Sequence, residues 1–597
     1  MLLNFLSGPL DSRITFSRGS NATLVDSTGR VTYAPANLAT FSEQFDNAAW
    51  SKVGNGVAVA PTVSANAGTA PDGTATADRV QFNCVDTASS ANRSYITPLT
   101  NITSPIGTRF VASVWVKAFD TANVGKTIRF TCDTIGNLVH TLTDSWQRIS
   151  VSGTSIFATT NFLLETRGTF TTQTADILVW GAQFEPVTYQ TTPSTYVATA
   201  ASAYYGPRFD YDPVTLAPRG LLIEEQRTNL TLHSGLTSAN WTATGGTLTN
   251  TGKLSPDGSS NMGLFTEDSA TSAHQTFVTT VPGTLTLGVT YTGSVYIAAG
   301  TRRYVVVQCG TNGSNWGVTV DTQTWTITGD FATGGCAFTS ASIVNAGNGI
   351  YRVTATGVQN TGGGTPAYVV VGGSLIADAV NSATSYLGNG STFYAWGAQL
   401  EAGAFATSYI PTVASTVTRS ADVATMTGTN FSSWYNQSAG TFIAEASAFV
   451  PVATTTNAVV SANDNTGSNR NNVFVFNGQW GGVTTTGGVD QANILIGASY
   501  TPTAVAKIAY AYQANNFAAS VNGGTVGTDV SGTVPTVDRL FLGVTGSGGG
   551  AALNGHVRQI AYYNSRLPNA QLQTLTAPTL ALPLSLDFTT ASYTVGY

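Results

Sequence analysis

Glu224 and Glu225 stand side by side, and paired carboxylates are what glycoside hydrolysis needs, flanking one bond at about 5–10 Å. Their setting argues against that chemistry. Leu221-Leu222-Ile223 reads as a short strand running into them, and neighbours on a strand leave on opposite faces, so the two carboxylates cannot share a substrate. Arg219 and Arg227 bracket the pair, which predicts ion pairing. Glu445 is the only Glu beyond residue 440 and sits on a run of Ala, Ile and Phe, so a Glu-x-Asp-x-Glu strand is absent there. His140, His233, His274 and His556 are far apart, and none lies beside a Ser or Cys in a Gly-x-Ser-x-Gly setting. These residues predict no enzyme and no catalytic group.

The four cysteines include no Cys-x-x-Cys pair, which excludes a zinc site and a disulfide scaffold. Cys132 and Cys309 follow similar β runs and read as small core residues, while the disulfide state of Cys84 and Cys336 stays open. No cofactor is implied, with calcium left open: Asn463-Asp464-Asn465 with Asn469, and Glu43 or Glu185, carry suitable oxygens. Plain turn formation is the alternative. For sugar binding the candidate is Trp480, placed in a loop by Gln479 and Gly481-Gly482, with Asp464 and Arg470 in the loop before the adjacent strand. An indole face suits the CH face of a pyranose, and the charged side chains suit its hydroxyl rim. A buried or interface Trp is the competing reading.

The elements that position these residues come from a duplication. Trp180-Gly181-Ala182-Gln183-Phe184-Glu185 recurs as Trp396-Gly397-Ala398-Gln399-Leu400-Glu401, and each copy is followed by a Thr/Ser/Pro-rich exit containing Tyr196 or Tyr409. Working back, Arg148-Ile149-Ser150 matches Arg352-Val353-Thr354, Pro71-Asp72-Gly73 matches Pro256-Asp257-Gly258, and Asn37 with Trp50 matches Asn229 with Trp241. Alternating side chains place both Trp-Gly-Ala-Gln copies on half-buried strands, with Trp180 and Trp396 in the core.

Charged residues make up 9% of the chain and Gly numbers 63, a composition that lacks the wet face long helices require and points to β structure. The fold class expected is all-β: two jelly-roll sandwiches over 37–200 and 229–413, then a second kind of sandwich over 414–578. Residues 1–36 form a small hairpin segment, 201–228 a charged connector, and 579–597 a closing strand. Pro568 starts a short helix with Leu572 and Leu575 on its buried side. A net charge of −6 with 25 scattered Lys and Arg gives no basic stripe for nucleic acid. No run approaches a membrane span, and Met1-Leu2-Leu3-Asn4-Phe5-Leu6 lacks signal-peptide features, so folding in a cytoplasm is expected.

The last domain resembles the concanavalin A-like, laminin-G-like sandwiches at the C-terminal end of many phage virion proteins. The carrying words are Ala519-Ser520-Val521-Asn522-Gly523, Leu542-Gly543, Leu553-Asn554-Gly555-His556-Val557-Arg558 and Leu567-Pro568-Asn569. Arg13-Ile14-Thr15-Phe16, Phe209-Asp210-Tyr211-Asp212-Pro213 and Phe41-Ser42-Glu43-Gln44-Phe45 are similar to the same phage tail-fibre, spike and minor capsid group, and the repeats resemble carbohydrate-binding-module jelly rolls. The resemblance implies a virion protein assembled in the host cytoplasm, anchored through residues 1–36, with other virion proteins and a host cell-surface glycan as partners. A homo-oligomer, commonly a trimer in that group, is implied in the same way. A minor capsid or decoration protein and a capsule depolymerase are the alternatives. In related proteins the Arg-Ile-Thr-Phe and Phe-Asp-Tyr-Asp-Pro segments stand close together, which predicts that residues 12–36 and 203–228 pair as one small sheet joined by Leu584–Thr589, with the first roll as a side branch.

Overall fold

The computed structural model describes the chain apart from residue 7 and residues 236–239, 281–284, 363–365, 451–455, 498–499, 547–548, 550 and 579–597. The expected closing strand, 584–589 included, lies outside the described residues.

The fold is all-β, with three two-sheet sandwiches. In the first roll one five-stranded sheet centres on Thr174–Val187, flanked by Arg109–Ala118 and Ala77–Asn83. The facing sheet runs through Thr127–Cys132, Phe162–Arg167, Arg93–Pro98 and Trp50–Asn55. The second roll repeats this order with six strands per sheet, Thr392–Ala402 taking the central place of Thr174–Val187. Alternate residues such as Phe110, Ala112 and Val114 fill the first core, and Val295, Val307 and Phe393 the second. Cys132 and Cys309 are both core residues, as their matching runs predicted, and all four cysteines are free thiols.

The third sandwich is not built from residues 414–578 alone. Its eight-stranded sheet takes Arg208–Tyr211 and Pro218–Ile223 from the connector, and Leu2–Asn4 pairs with Gly555–Tyr563 in the same sheet. Its seven-stranded sheet takes Thr15–Ser17, paired with Val423–Thr427. Both rolls are therefore inserted into one sandwich assembled from three stretches of chain. The expected small sheet of residues 12–36 with 203–228 does not form. Thr15–Ser17 and Pro218–Ile223 lie in opposite sheets, and Ile14, Leu221 and Ile223 meet across the common core. Among the described residues only the short bridge of Ala36–Asn37 with Tyr204–Tyr205 joins the two regions by strand pairing. The physical reason is burial: a two-stranded sheet has no second layer, whereas each segment gains one by completing a large sandwich.

The helix Asn569–Thr576 begins after Pro568 and buries Leu572 against Ala509, Ala511 and Ala518. Leu575 is 38% exposed, contrary to expectation, because the buried stripe continues at Thr576, four residues after Leu572.

Candidate functional site

The repeated Trp-Gly-Ala-Gln words form a clamp that closes each roll. Gly181 and Gly397 both adopt φ +67, and each sits where the central strand slips register past its neighbour. A Cβ there would stand 2.9 Å from the Trp115 ring or 2.8 Å from the Tyr296 ring, so both the left-handed backbone and the close approach require glycine. Gln183 Nε2 donates to Glu185 at 2.9 Å, and Gln399 Nε2 to Glu401 at 2.7 Å. The Trp180 and Trp396 rings lie 4.6 and 4.8 Å from Tyr196 and Tyr409 in the exits. Asn37 and Asn229 tie each entry to its exit, donating to Ala182 and Val197 or to Ala398 and Ile410. Both tryptophans are buried, Trp396 in the second roll's core and Trp180 in a separate cluster with Ala70 and Ala77 rather than in the first roll's main core.

A buried ionic cluster ties the N-terminal segment and the connector to the third sandwich. Arg208 bonds Glu224 (2.6 Å), Asp422 and the Thr23 carbonyl, Arg419 bonds Glu224, and Arg18 bonds Asp422 at 2.9 Å. The five side chains are 0–1% exposed. Burial by itself raises the Glu224 and Asp422 carboxyls, but the surrounding arginines outweigh it and hold both below the usual range. Arg18 is lowered to about 10 by burial, against Asp422, with Arg208 adding to the drop. Glu225 instead pairs with Arg227 at 2.5 Å, and Arg219 with Asp212 at 2.9 Å. Adjacent carboxylates thus serve separate ion pairs, which is the structural role their strand setting predicted.

The hairpin Thr23–Val25/Val31–Tyr33 is wedged between the rolls. Thr188 Oγ1 of the first roll donates to the Val31 carbonyl at 3.2 Å, and Val31 N donates to the Pro256 carbonyl of the second at 3.0 Å. Beside this wedge lies a cleft of about 640 Å³, within the range of ligand pockets, about 300–1,000 Å³. Half-buried Tyr33 and Tyr189 give it aromatic surface, and Thr108, Arg109, Asp257 and Ser259 give it polar groups from both rolls.

Tyr189 is fixed by donating to Asp26 at 2.6 Å, with the Arg30 guanidinium 4.7 Å from its ring centre. Asp257 accepts from Ser255 Oγ at 2.5 Å and from Ser259 N and Oγ at 3.1 and 2.8 Å. Burial pushes its carboxyl above the usual range against those bonds. Burial first, then Asp257, push the Tyr33 hydroxyl up. Asp257 is the one acidic residue among the described residues lining the cleft. The arrangement suits holding a polyhydroxylated ring between aromatic surface and hydrogen-bonding groups.

Trp480, Asp464 and Arg470 are not brought together as a site. Trp480 lies on the strand Gln479–Thr486, 1% exposed inside the sandwich core, 5.6 Å from the Tyr500 ring. Asn477 (φ 47) and Gly478 (φ 72) form the two-residue turn of a hairpin, so Gln479 begins a strand rather than a loop. Trp480 pairs with Val475 beside this turn, while Arg470 pairs with Thr485 at the far end, about 16 Å away at the ordinary strand rise. Asp464 accepts from Thr466 N at 2.9 Å and from Asn469 Nδ2 at 2.8 Å, the turn alternative to a calcium loop. Among the described residues no group of three or more His, Cys, Asp or Glu is placed to hold a metal.

The cleft residues were hidden from sequence reasoning because they come from stretches far apart in the chain, from Tyr33 to Val413. Pro256-Asp257-Gly258 was visible as a repeated turn, and its facing partners Tyr33 and Tyr189 carried no signal.

No family model and no curated protein matches the chain. Among solved structures it is similar to the N-terminal CBM22-1-CBM22-2 tandem domain of Paenibacillus barcinonensis Xyn10C, at 12% identity over 62% of this chain and 98% of that one, TM-score 0.20. Mouse laminin α1 domains LG4-5 match at 10% identity over 51% and 88%, TM-score 0.17. Trypanosoma rangeli sialidase matches at 11% identity over 96% of both chains, TM-score 0.19. None of these likenesses bears on function.

Proposed function

We propose that this chain is a non-catalytic bacteriophage virion protein, a tail fibre, spike or projection, that holds a host-surface glycan in the cleft between its rolls. The observation that carries glycan binding is the cleft itself, with Tyr33 and Tyr189 beside polar groups from both rolls. The virion assignment rests on the sequence words shared with phage tail and capsid proteins. The non-catalytic reading is supported by a single carboxylate among the described residues lining the cleft, Asp257, where hydrolysis of a glycosidic bond ordinarily uses two.

The test is titration calorimetry of purified protein with host surface polysaccharide. Tyr189→Ala is expected to weaken binding about tenfold, the loss of one ring contact of roughly 1.4 kcal/mol, with the melting temperature held as a control. Unchanged affinity in the folded variant would remove the cleft assignment. Release of reducing ends from the polysaccharide would instead make the chain a depolymerase. Antibody labelling confined to the capsid shell of phage particles would favour the decoration-protein reading.

A further inference from the structure

The outer face of the first roll carries a cationic group with more positive charge than its one buried carboxylate answers, although Arg167 Nε also donates to the Ser90 carbonyl at 2.8 Å. Register sets Arg129 opposite Glu165, Glu165 opposite Tyr95, and Arg167 opposite Arg93. Their strand neighbours Phe130, Leu164 and Ile96 fill the core, so this row points outward. Glu165 lies buried beneath the arginines and accepts from Arg93 Nε at 2.8 Å. Arg129 Nε and Arg167 Nη1 each stand 3.9 Å from its Oε1, beyond hydrogen-bond reach. Arg129 Nε and Nη1 have no hydrogen-bond partner.

Three guanidiniums therefore face one carboxylate. The other acid close by, Asp133, accepts from Asn161 Nδ2 at 2.6 Å. Burial, and behind it the repulsion of Arg93 and Arg129, lower Arg167 despite Glu165. The arginine side chains are 11–24% exposed; Arg129 Nε and Nη1 are closed off from solvent, which leaves Arg129 Nη2 and the Arg167 Nη groups to be reached. Phe170, 46% exposed, covers them with its ring 4.6 Å from the Arg129 guanidinium and 5.4 Å from that of Arg167.

The second roll shows that the fold does not require this group. Counting from Cys132 and Cys309 through the paired strands, the places of Arg129, Glu165 and Tyr95 fall to Val306, Gly372 and Gln275. There the face is plugged by its own loop: Ala379 packs on Val306, and Ser382 Oγ donates to Gln275 at 2.9 Å. One copy is neutral and filled by its own loop, and the other is cationic and capped by the exposed Phe170 ring.

We propose that this face of the first roll binds a carboxylate-bearing sugar of an acidic polysaccharide, the carboxylate meeting Arg129 and Arg167 and the ring lying on Phe170. A guanidinium fork matches a carboxylate with two parallel bonds, and the aromatic face suits the sugar CH groups. The choice of a saccharide rests on the glycan-binding reading above. The choice of an anion rests on the arginines alone.

The experiment is calorimetric titration of the full chain with a hexuronate trisaccharide, the same trisaccharide reduced to its neutral form, and acetate. The acidic trisaccharide is expected to bind at least about tenfold tighter than either control, weakening as salt is raised. Arg129→Gln should lose that preference, and Phe170→Ala, at an exposed position, should weaken binding about fivefold without altering the melting temperature. Glu165→Gln, which removes the competing carboxylate, should tighten binding, a gain no purely structural ion cluster would give. Tyr189→Ala should leave it unchanged, separating this site from the cleft. Equal affinity for the acidic and neutral trisaccharides, acetate binding as tightly as the sugar, or indifference to Phe170→Ala and Glu165→Gln would overturn the proposal.

Discussion

Removing Arg208 and neutralising Glu224 perturb the same buried cluster in opposite directions of charge. Arg18, Arg208 and Arg419 face Glu224 and Asp422, three positive charges against two negative. Breaking a buried pair ordinarily costs about 3–5 kcal/mol, because the remaining charge is left without compensation. Arg208→Met leaves two against two, with Glu224 still bonded to Arg419 and Asp422 still bonded to Arg18, so its cost should sit near 3 kcal/mol. Glu224→Gln leaves three against one and strands Arg419 beside Arg208, so its cost should approach 5 kcal/mol. Guanidinium chloride unfolding of both variants measures the difference. If Arg208→Met is the more damaging, or if either costs under about 1 kcal/mol, the cluster is not a buried network in which Glu224 holds the surplus positive charge.

The depressed Glu224 and Asp422 carboxyls stabilise the fold above the ordinary carboxylate range near pH 4.5, and that stabilisation should fade as pH falls from there toward their folded values. Acid titration followed by circular dichroism should show Glu224→Gln with a shallower acid loss. Trp480→Ala should lower stability by about 3–5 kcal/mol, the cost of a large core cavity; a folded, unchanged melting profile would contradict its burial. Gly397→Ala should cost about 1–3 kcal/mol from φ +67 and the approach to Tyr296, measured by thermal unfolding; Gly390→Ala, at φ +77 with no atom within 4 Å of a Cβ, should cost less, the difference reporting the approach to Tyr296 alone.

Local pattern was enough for whatever depends on neighbours in the chain. Alternation gave the strands, and composition the all-β class. The two Trp-Gly-Ala-Gln words gave a duplication whose paired bonds recur atom for atom. Glu224 and Glu225 could be separated by strand phase alone, since that is set by backbone geometry. Asn477-Gly478 is a hairpin signal, and a hairpin makes Gln479-Trp480 strand rather than loop, so the burial of Trp480 is legible in the sequence.

Tertiary structure decided what depends on which distant strands pair. A β ladder satisfies backbone groups without regard to side chains, so nothing local says that Thr15–Ser17 joins Val423–Thr427 while Pro218–Ile223 joins Gly555–Tyr563. That pairing makes both rolls insertions, brings Arg18, Arg208 and Arg419 together, and wedges the hairpin between the rolls. The cleft follows from it, because Tyr33, Tyr189 and Asp257 become neighbours only when three stretches of chain share one core.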